Sequence, residues 1–235
     1  MAKKSAKSKG YRKQTGKKPY LSKRDIVLLC VLVAAIAVAA FFLFHYDDGA
    51  LKVQNGAVVA DGDNWLIVNG SNTRGGARYY KLGEMGDLEG YAREAKSLVT
   101  DANIPEYSFT PEAEDTGVSG ITVTSSHSTA DVLSKYAVSM LSETENIDIG
   151  EIQTGELGGR TVTYFTYTAE PTEAEEGEEA KFSRVMSGYI DATHDSCVAI
   201  HVESRADAAE SCLGEEALTE LLARTVSAVS LESAK

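Results

Sequence analysis

Nineteen consecutive residues, Ile26 to Phe44, carry no charge, no glycine and no proline. As a helix rising about 1.5 Å per residue, such a run reaches roughly 28 Å, close to the hydrocarbon thickness of a bilayer. A helix that is apolar on every side is stable only in a large core or in lipid. A chain of 235 residues offers little interior for it. The run therefore predicts one transmembrane helix over 26–44. Lys3, Lys4, Lys7, Lys9, Arg12, Lys13, Lys17, Lys18, Lys23 and Arg24 precede it, and Asp47 and Asp48 follow. The positive-inside bias then predicts a single-pass protein of the cell membrane, N-terminus cytoplasmic and C-terminal portion outside. Phe41, Phe42, Phe44 and Tyr46 fit an interfacial aromatic belt at the outer end. A cleaved signal peptide, with Ala37-Val38-Ala39 as the small-residue site, is the rival. The long basic stretch before the run, and its continuation through Phe41–Phe44, count against cleavage. Cys30 lies early inside the run, which counts against a lipid-modified cysteine.

The formal charge of −12 is the sum of two opposed regions: ten Lys/Arg and no acid in residues 1–24, and −21 over residues 26–235. Residues 1–25 are Lys-rich without apolar periodicity, which predicts a disordered cytoplasmic tail. Its expected partners are the bilayer and its anionic headgroups, at up to about 1 kcal/mol per base near the surface. Nucleic acid is not expected, since only Tyr11 and Tyr20 could stack on bases. A composition of 43% hydrophobic and 25% charged residues excludes a wholly disordered chain. Three cysteines exclude a disulfide-dense scaffold or a four-cysteine zinc site.

Downstream of the apolar run the pattern divides into a β-rich extracytoplasmic unit over 45–103 and an α+β extracytoplasmic domain over 104–235. In the first, Asn55-Gly56 between Val53 and Ala57-Val58-Val59 signals a tight hairpin. Trp65–Val68 and Arg78–Leu82 read as strands, with residues 69–76 as a loop between them. In the second, Ile121–Thr124 alternates as a half-buried strand. Val132, Leu133, Tyr136, Ala137, Met140 and Leu141 then form one apolar helical stripe, with Ser128 as N-cap and Asp131 in the first turn. Thr161–Thr168, Phe182–Asp191 and Cys197–Glu203 read as strands. A last helix turns Leu218, Leu221, Leu222, Val226 and Val229 inward. The fold class expected is α+β: one N-terminal transmembrane helix, a small β unit, and an antiparallel sheet packed with helices.

No catalytic, cofactor-binding or metal-binding set is legible, and no cofactor is expected. His45, His127, His194 and His201 lie in no HExxH or other local metal spacing. Gly117-Val118-Ser119-Gly120 falls one residue short of a nucleophile elbow. Gly83, Gly86 and Gly90 lack both the spacing and the Lys-Ser/Thr of a phosphate loop. Asp191 and Asp195 flank one turn, whereas paired catalytic acids need a set separation across a cleft. Asp61, Asp63 and Asn64 imitate the start of a calcium loop without its twelfth-position acid. The run Glu170–Glu179 holds six glutamates and reads as a solvated hairpin loop. Cys197 and Cys212 are the only thiols after the apolar run and are candidates for a disulfide. A bridge would close a loop of about 15 residues, worth roughly 3 kcal/mol in the chain-entropy model. An extended Cys197–Glu203 strand carries the chain away from its partner, and the spacing leaves the bridge open. Asn69-Gly70-Ser71 fits an N-glycosylation acceptor.

The order of strand, helix, long hairpin, strand and terminal helix over residues 104–232 resembles the PsbP-like α/β/α sandwich. The resemblance rests on Ile104-Pro105-Glu106-Tyr107-Ser108-Phe109 and on the capped helix after Ile121–Thr124. It rests also on Gly158-Gly159-Arg160 before Thr161–Thr168 and on the closing helix Ala217–Leu231. It implies an antiparallel sheet packed between helices and work as an accessory or binding module, bacterial envelope proteins included. It carries no catalytic motif and does not account for residues 51–92. The function expected is therefore non-catalytic binding or assistance at the cell envelope, with an envelope protein as partner. Two alternatives stand beside it. One is an extracytoplasmic enzyme built around His201 or His127; the other is a ligand- or cation-binding sensor using Asp61, Asp63 and the Glu170–Glu179 run.

Overall fold

The computed structural model describes residues 31–36, 38, 50–54, 57–58, 62–70, 78–97, 105–114, 116–171 and 181–232. The chain divides into two compact units, Met1–Asp48 and Gly49–Lys235. In the first unit, residues 31–36 and 38 are helical with exposed side chains. Among the described residues no helix is long and apolar enough to cross a membrane. The expected transmembrane helix over 26–44, and the single-pass assignment built on it, are corrected accordingly. The rest of that run and the basic tail over 1–25 lie outside the described residues.

The second unit is built on an eight-stranded sheet. Its strands are β5 (Tyr91–Ser97), β6 (Pro105–Pro111), β7 (Gly120–Ser126), β8 (Ile147–Ile149), β9 (Gln153–Leu157), β10 (Arg160–Ala169), β11 (Phe182–Asp191) and β12 (Cys197–Ala206). The order across the sheet is β5-β6-β7-β12-β11-β10-β8, and β9 also pairs with β10. Every pairing is antiparallel. Beta-branched and aromatic residues make the three ten-residue strands β10, β11 and β12 the centre of the sheet. A three-stranded sheet joins β3 (Trp65–Gly70), β4 (Arg78–Met85) and β13 (Val229–Leu231) in the order β13-β4-β3. The short strands β1 (Val53–Gln54) and β2 (Ala57–Val58) pair as a hairpin, as Asn55-Gly56 predicts. Those two turn residues themselves lie outside the described set.

One face of the large sheet carries the main core. Tyr107, Phe109, Ile121, Val123, Val162, Met186, Ile190, Val198, Ile200 and Val202 pack there with Leu218, Leu222 and Val226 of helix 215–228. Leu66, Val68, Leu82 and Met85 from the three-stranded sheet join the same cluster. Tyr107 fastens the two sheets: its hydroxyl donates to the Trp65 carbonyl at 2.8 Å. Burial pushes that phenol up to about 12, with Arg93 pulling the other way. Strands from both sides of position 103/104 share this one core. The glycines with a phosphate-loop look serve packing instead. A side chain at Gly83 would collide with the Ser230 carbonyl, and one at Gly86 would come 2.9 Å from the Ala228 carbonyl. Gly90 turns with φ +82°.

The opposite face carries a smaller cluster of Ala130, Phe165, Tyr189, Cys197 and Ala199, covered by helix 130–142. The N-cap of this helix is Thr129, not the expected Ser128: its hydroxyl accepts from Val132 N at 3.4 Å. The Asp191 carboxylate accepts from Ala130 N at 2.7 Å, tying the start of the helix to the end of β11.

Strand makes up 49% of the described residues and helix 23%. The unit is thus mostly antiparallel β, which corrects the expected helix-packed α+β class. Segments without strong apolar alternation, such as Tyr91–Ser97 and Gln153–Leu157, become strands because neighbouring edges take up their backbone hydrogen bonds.

Candidate functional site

Among the described residues of the second unit, helix 130–142 presents three of the four large apolar side chains left in water, the fourth being Ile152. Val132 is 57% exposed, Tyr136 61% and Met140 49%. Spaced at i, i+4 and i+8, they form one row along the helix. The sequence pattern assigns these three to the core; the structure turns them outward. The face toward the sheet is filled by Ala130, Leu133, Ser134, Ala137, Val138 and Leu141. Three of these are small, so the helix lies close on Phe165 and Tyr189 and needs no further bulk to close the core. Ala130 and the hydroxyl-bearing Ser134 are fully buried, and Ser134 donates to the Asp131 carbonyl at 3.1 Å. The sequence by itself does not make this choice: the apolar residues occupy two adjacent rows, Val132/Tyr136/Met140 and Leu133/Ala137/Leu141.

Charge surrounds the row unequally. Asp131, Glu143 and Glu145 are exposed on or just after the helix. The one base on the helix, Lys135, is already paired with Asp131 at 2.7 Å. The surface is an apolar ridge with acidic surroundings.

The remaining sequence candidates fall into separate places. His201 lies on the helix-covered face of β12, 2.9 Å from the Ser187 hydroxyl through Nδ1, with Tyr189 edge-on at 6.1 Å. Burial lowers the His201 pKa below the usual histidine value. This serine–histidine pair is not a nucleophile and base ready for substrate. Ser187 is 1% exposed. The nearest carboxylate along the strand, Glu203, takes its hydrogen bonds from Ser183 and Arg205. An acyl-transfer triad needs an open hydroxyl and a third group orienting the imidazole.

Asp191 serves the helix cap, while Asp195 sits in the β11–β12 turn near His127 and His194. Among the described residues no group of three or more His, Cys, Asp or Glu could hold a metal ion. Cys197 and Cys212 are free thiols, both buried. Cys197 opens β12 opposite Asp191, whereas the Cys212 thiol donates to the Phe182 carbonyl at the other end of that hairpin. Nine residue steps separate the two ends, about 30 Å in a strand, so the candidate bridge has no geometry here. Burial, with Asp191 adding, pushes the Cys197 thiol up to about 12. Asp63 lies beside Arg93 at 3.9 Å, and Asp61 and most of Glu170–Glu179 lie outside the described residues. Asn69 is exposed on β3.

Neither a protein-family model nor a curated protein sequence matches this chain.

Proposed function

We propose that residues 49–235 form a non-catalytic binding or accessory module whose contact surface is the outer row of helix 130–142. The observation that carries this reading is the exposure of Val132, Tyr136 and Met140 together on one well-capped helix. Single exposed apolar residues are ordinary on protein surfaces, whereas an aligned group of large ones marks an interaction site. The acidic setting selects the partner's chemistry: a protein surface with apolar pockets and basic side chains around them. A second copy of this unit is disfavoured by the charge of −21 over residues 26–235.

Photo-crosslinking from position 136 of the full chain in its native cells tests the reading. A discrete protein adduct is expected from position 136, absent from position 216 on helix 215–228 across the sheet and abolished by V132S/M140S. An adduct of the chain with itself, or a pattern that V132S/M140S leaves unchanged, removes the proposal.

A further inference from the structure

The two ends of the exposed row differ in charge. At the start of helix 130–142, Asp131 is paired with Lys135 at 2.7 Å, and an acid in the first turn suits the positive pole of a helix. The other end reverses this. The last turn holds no basic residue, and the capping position is Glu143, on the negative pole. Glu145 follows two residues later. Glu170 N donates to the Asn146 carbonyl at 3.0 Å, which brings the chain at Glu170 back to the same turn. Glu143, Glu145 and Glu170 are all exposed. Among the described residues none of their carboxylates takes part in an ion pair. The last-turn carbonyls meet only neutral local groups. Met140 O accepts from Thr144 Oγ1 at 3.3 Å and Leu141 O from Thr144 N at 3.0 Å. The negative charge at this end is therefore left without a counter-charge among the described residues.

The shape of the row selects the form of its occupant. A helix has no free backbone edge, so a strand cannot be added to it. Val132, Tyr136 and Met140 stand as three knobs about 6 Å apart, about 12 Å from first to last. A second helix carries grooves of matching spacing between its own rows of side chains. Carboxylates in the occupant are repelled from the Glu143 end, whereas cations there offset the charge and fix which end lies where.

We propose that the row receives an amphipathic helix of another protein whose basic side chains are gathered at one end, docked in a single direction. Its apolar stripe lies on Val132, Tyr136 and Met140, and its basic end lies over Glu143, Glu145 and Glu170. This rests on the reading of the row as a contact surface and adds the partner's form, charge and direction. Apolar contact supplies affinity and charge supplies direction, so experiment can separate the two.

Three synthetic helical peptides with one leucine stripe serve as probes. The first has four lysines at one end, the second has four lysines spread evenly, and the third has glutamates in place of the end lysines. Each is titrated against the full chain and followed by fluorescence anisotropy. The end-lysine peptide is expected to bind roughly fivefold more tightly than the even one, and the glutamate peptide more weakly than both. E143Q/E145Q/E170Q, all at exposed positions, is expected to abolish that preference, and high salt to reduce it. A benzophenone at the lysine end is expected to label residues 141–146, and one at the opposite end residues 128–133. Equal affinities for the three peptides, or labelling that ignores which end carries the benzophenone, overturns the proposal. So does the absence of binding by any of them. V132S/M140S separates the two readings: if it weakens all three peptides while lysine placement has no effect, the row stands and its directed partner falls. If the peptides bind V132S/M140S as tightly as the unaltered chain, the row itself is not the contact surface and both readings fall.

Discussion

Helices 130–142 and 215–228 are nearly equal in length, lie on opposite faces of one sheet, and are used in different ways. Helix 215–228 drives Leu218, Leu222 and Val226 fully into the core, where both sheets meet. Helix 130–142 buries only Ala130 and Ser134 completely and leaves its bulkiest apolar residues in water. The first is held by hydrophobic area. The second is held at its start by side-chain caps, Thr129 and Asp191, and along its length by partly buried Leu133, Val138 and Leu141. A fold can thus be secured by one helix while the other leaves an apolar row in water.

The contrast can be broken first where it is strongest. Leu222→Ala removes a fully buried side chain and is expected to cost about 3 kcal/mol, read from the denaturation midpoint. Leu133→Ala, on the partly buried face of the other helix, is expected to cost about 1.5 kcal/mol. Equal losses in the two variants would deny that the helices differ in weight. Asp191→Ala removes the acceptor for Ala130 N and is expected to cost about 1 kcal/mol, with faster amide exchange confined to the first turn of helix 130–142.

A smaller effect is expected from pH. Burial lowers the His201 pKa in the folded protein, so the unfolded chain takes up this proton first. The contribution is complete above the unfolded value of about 6.5 and is lost as pH falls from there toward the lowered folded value. His201→Gln should flatten that part of the stability profile, and an unaltered slope would place the acid sensitivity elsewhere. The smallest change in stability belongs to V132S/M140S, expected to be within about 0.5 kcal/mol of the unaltered chain. A large loss there would mean the row is structural after all.

Much of the strand content is legible in the sequence. Phe182–Asp191 falls where β-branched and aromatic residues place it, and Thr161–Thr168 becomes the inner part of β10. Asn55-Gly56 sets the β1–β2 hairpin, because a two-residue turn of that type is dictated locally. Tyr91–Ser97 is not legible in the same way. It is a charged edge strand whose membership depends on pairing with β6, and the charges of Arg93, Glu94 and Lys96 suit an edge rather than a core. The exposed row escapes for a related reason. Periodicity identifies an amphipathic helix, but two adjacent apolar rows do not say which one meets the sheet. The meeting of His127 with Asp195 is hidden too, since 68 positions of chain separate partners that adjacent strand ends bring together.

Local chemistry along the chain determined the strands with alternating or branched residues, the tight turns, the two helices 130–142 and 215–228, and the division of charge between the first 24 residues and the remainder. Tertiary structure alone decided that residues on both sides of position 103 share one core, and that Cys197 and Cys212 stand far apart. It also decided that Val132, Tyr136 and Met140 face water. The reason is physical: hydrogen bonding and turn geometry act over a few residues, whereas burial is decided by which distant surfaces come to lie against one another.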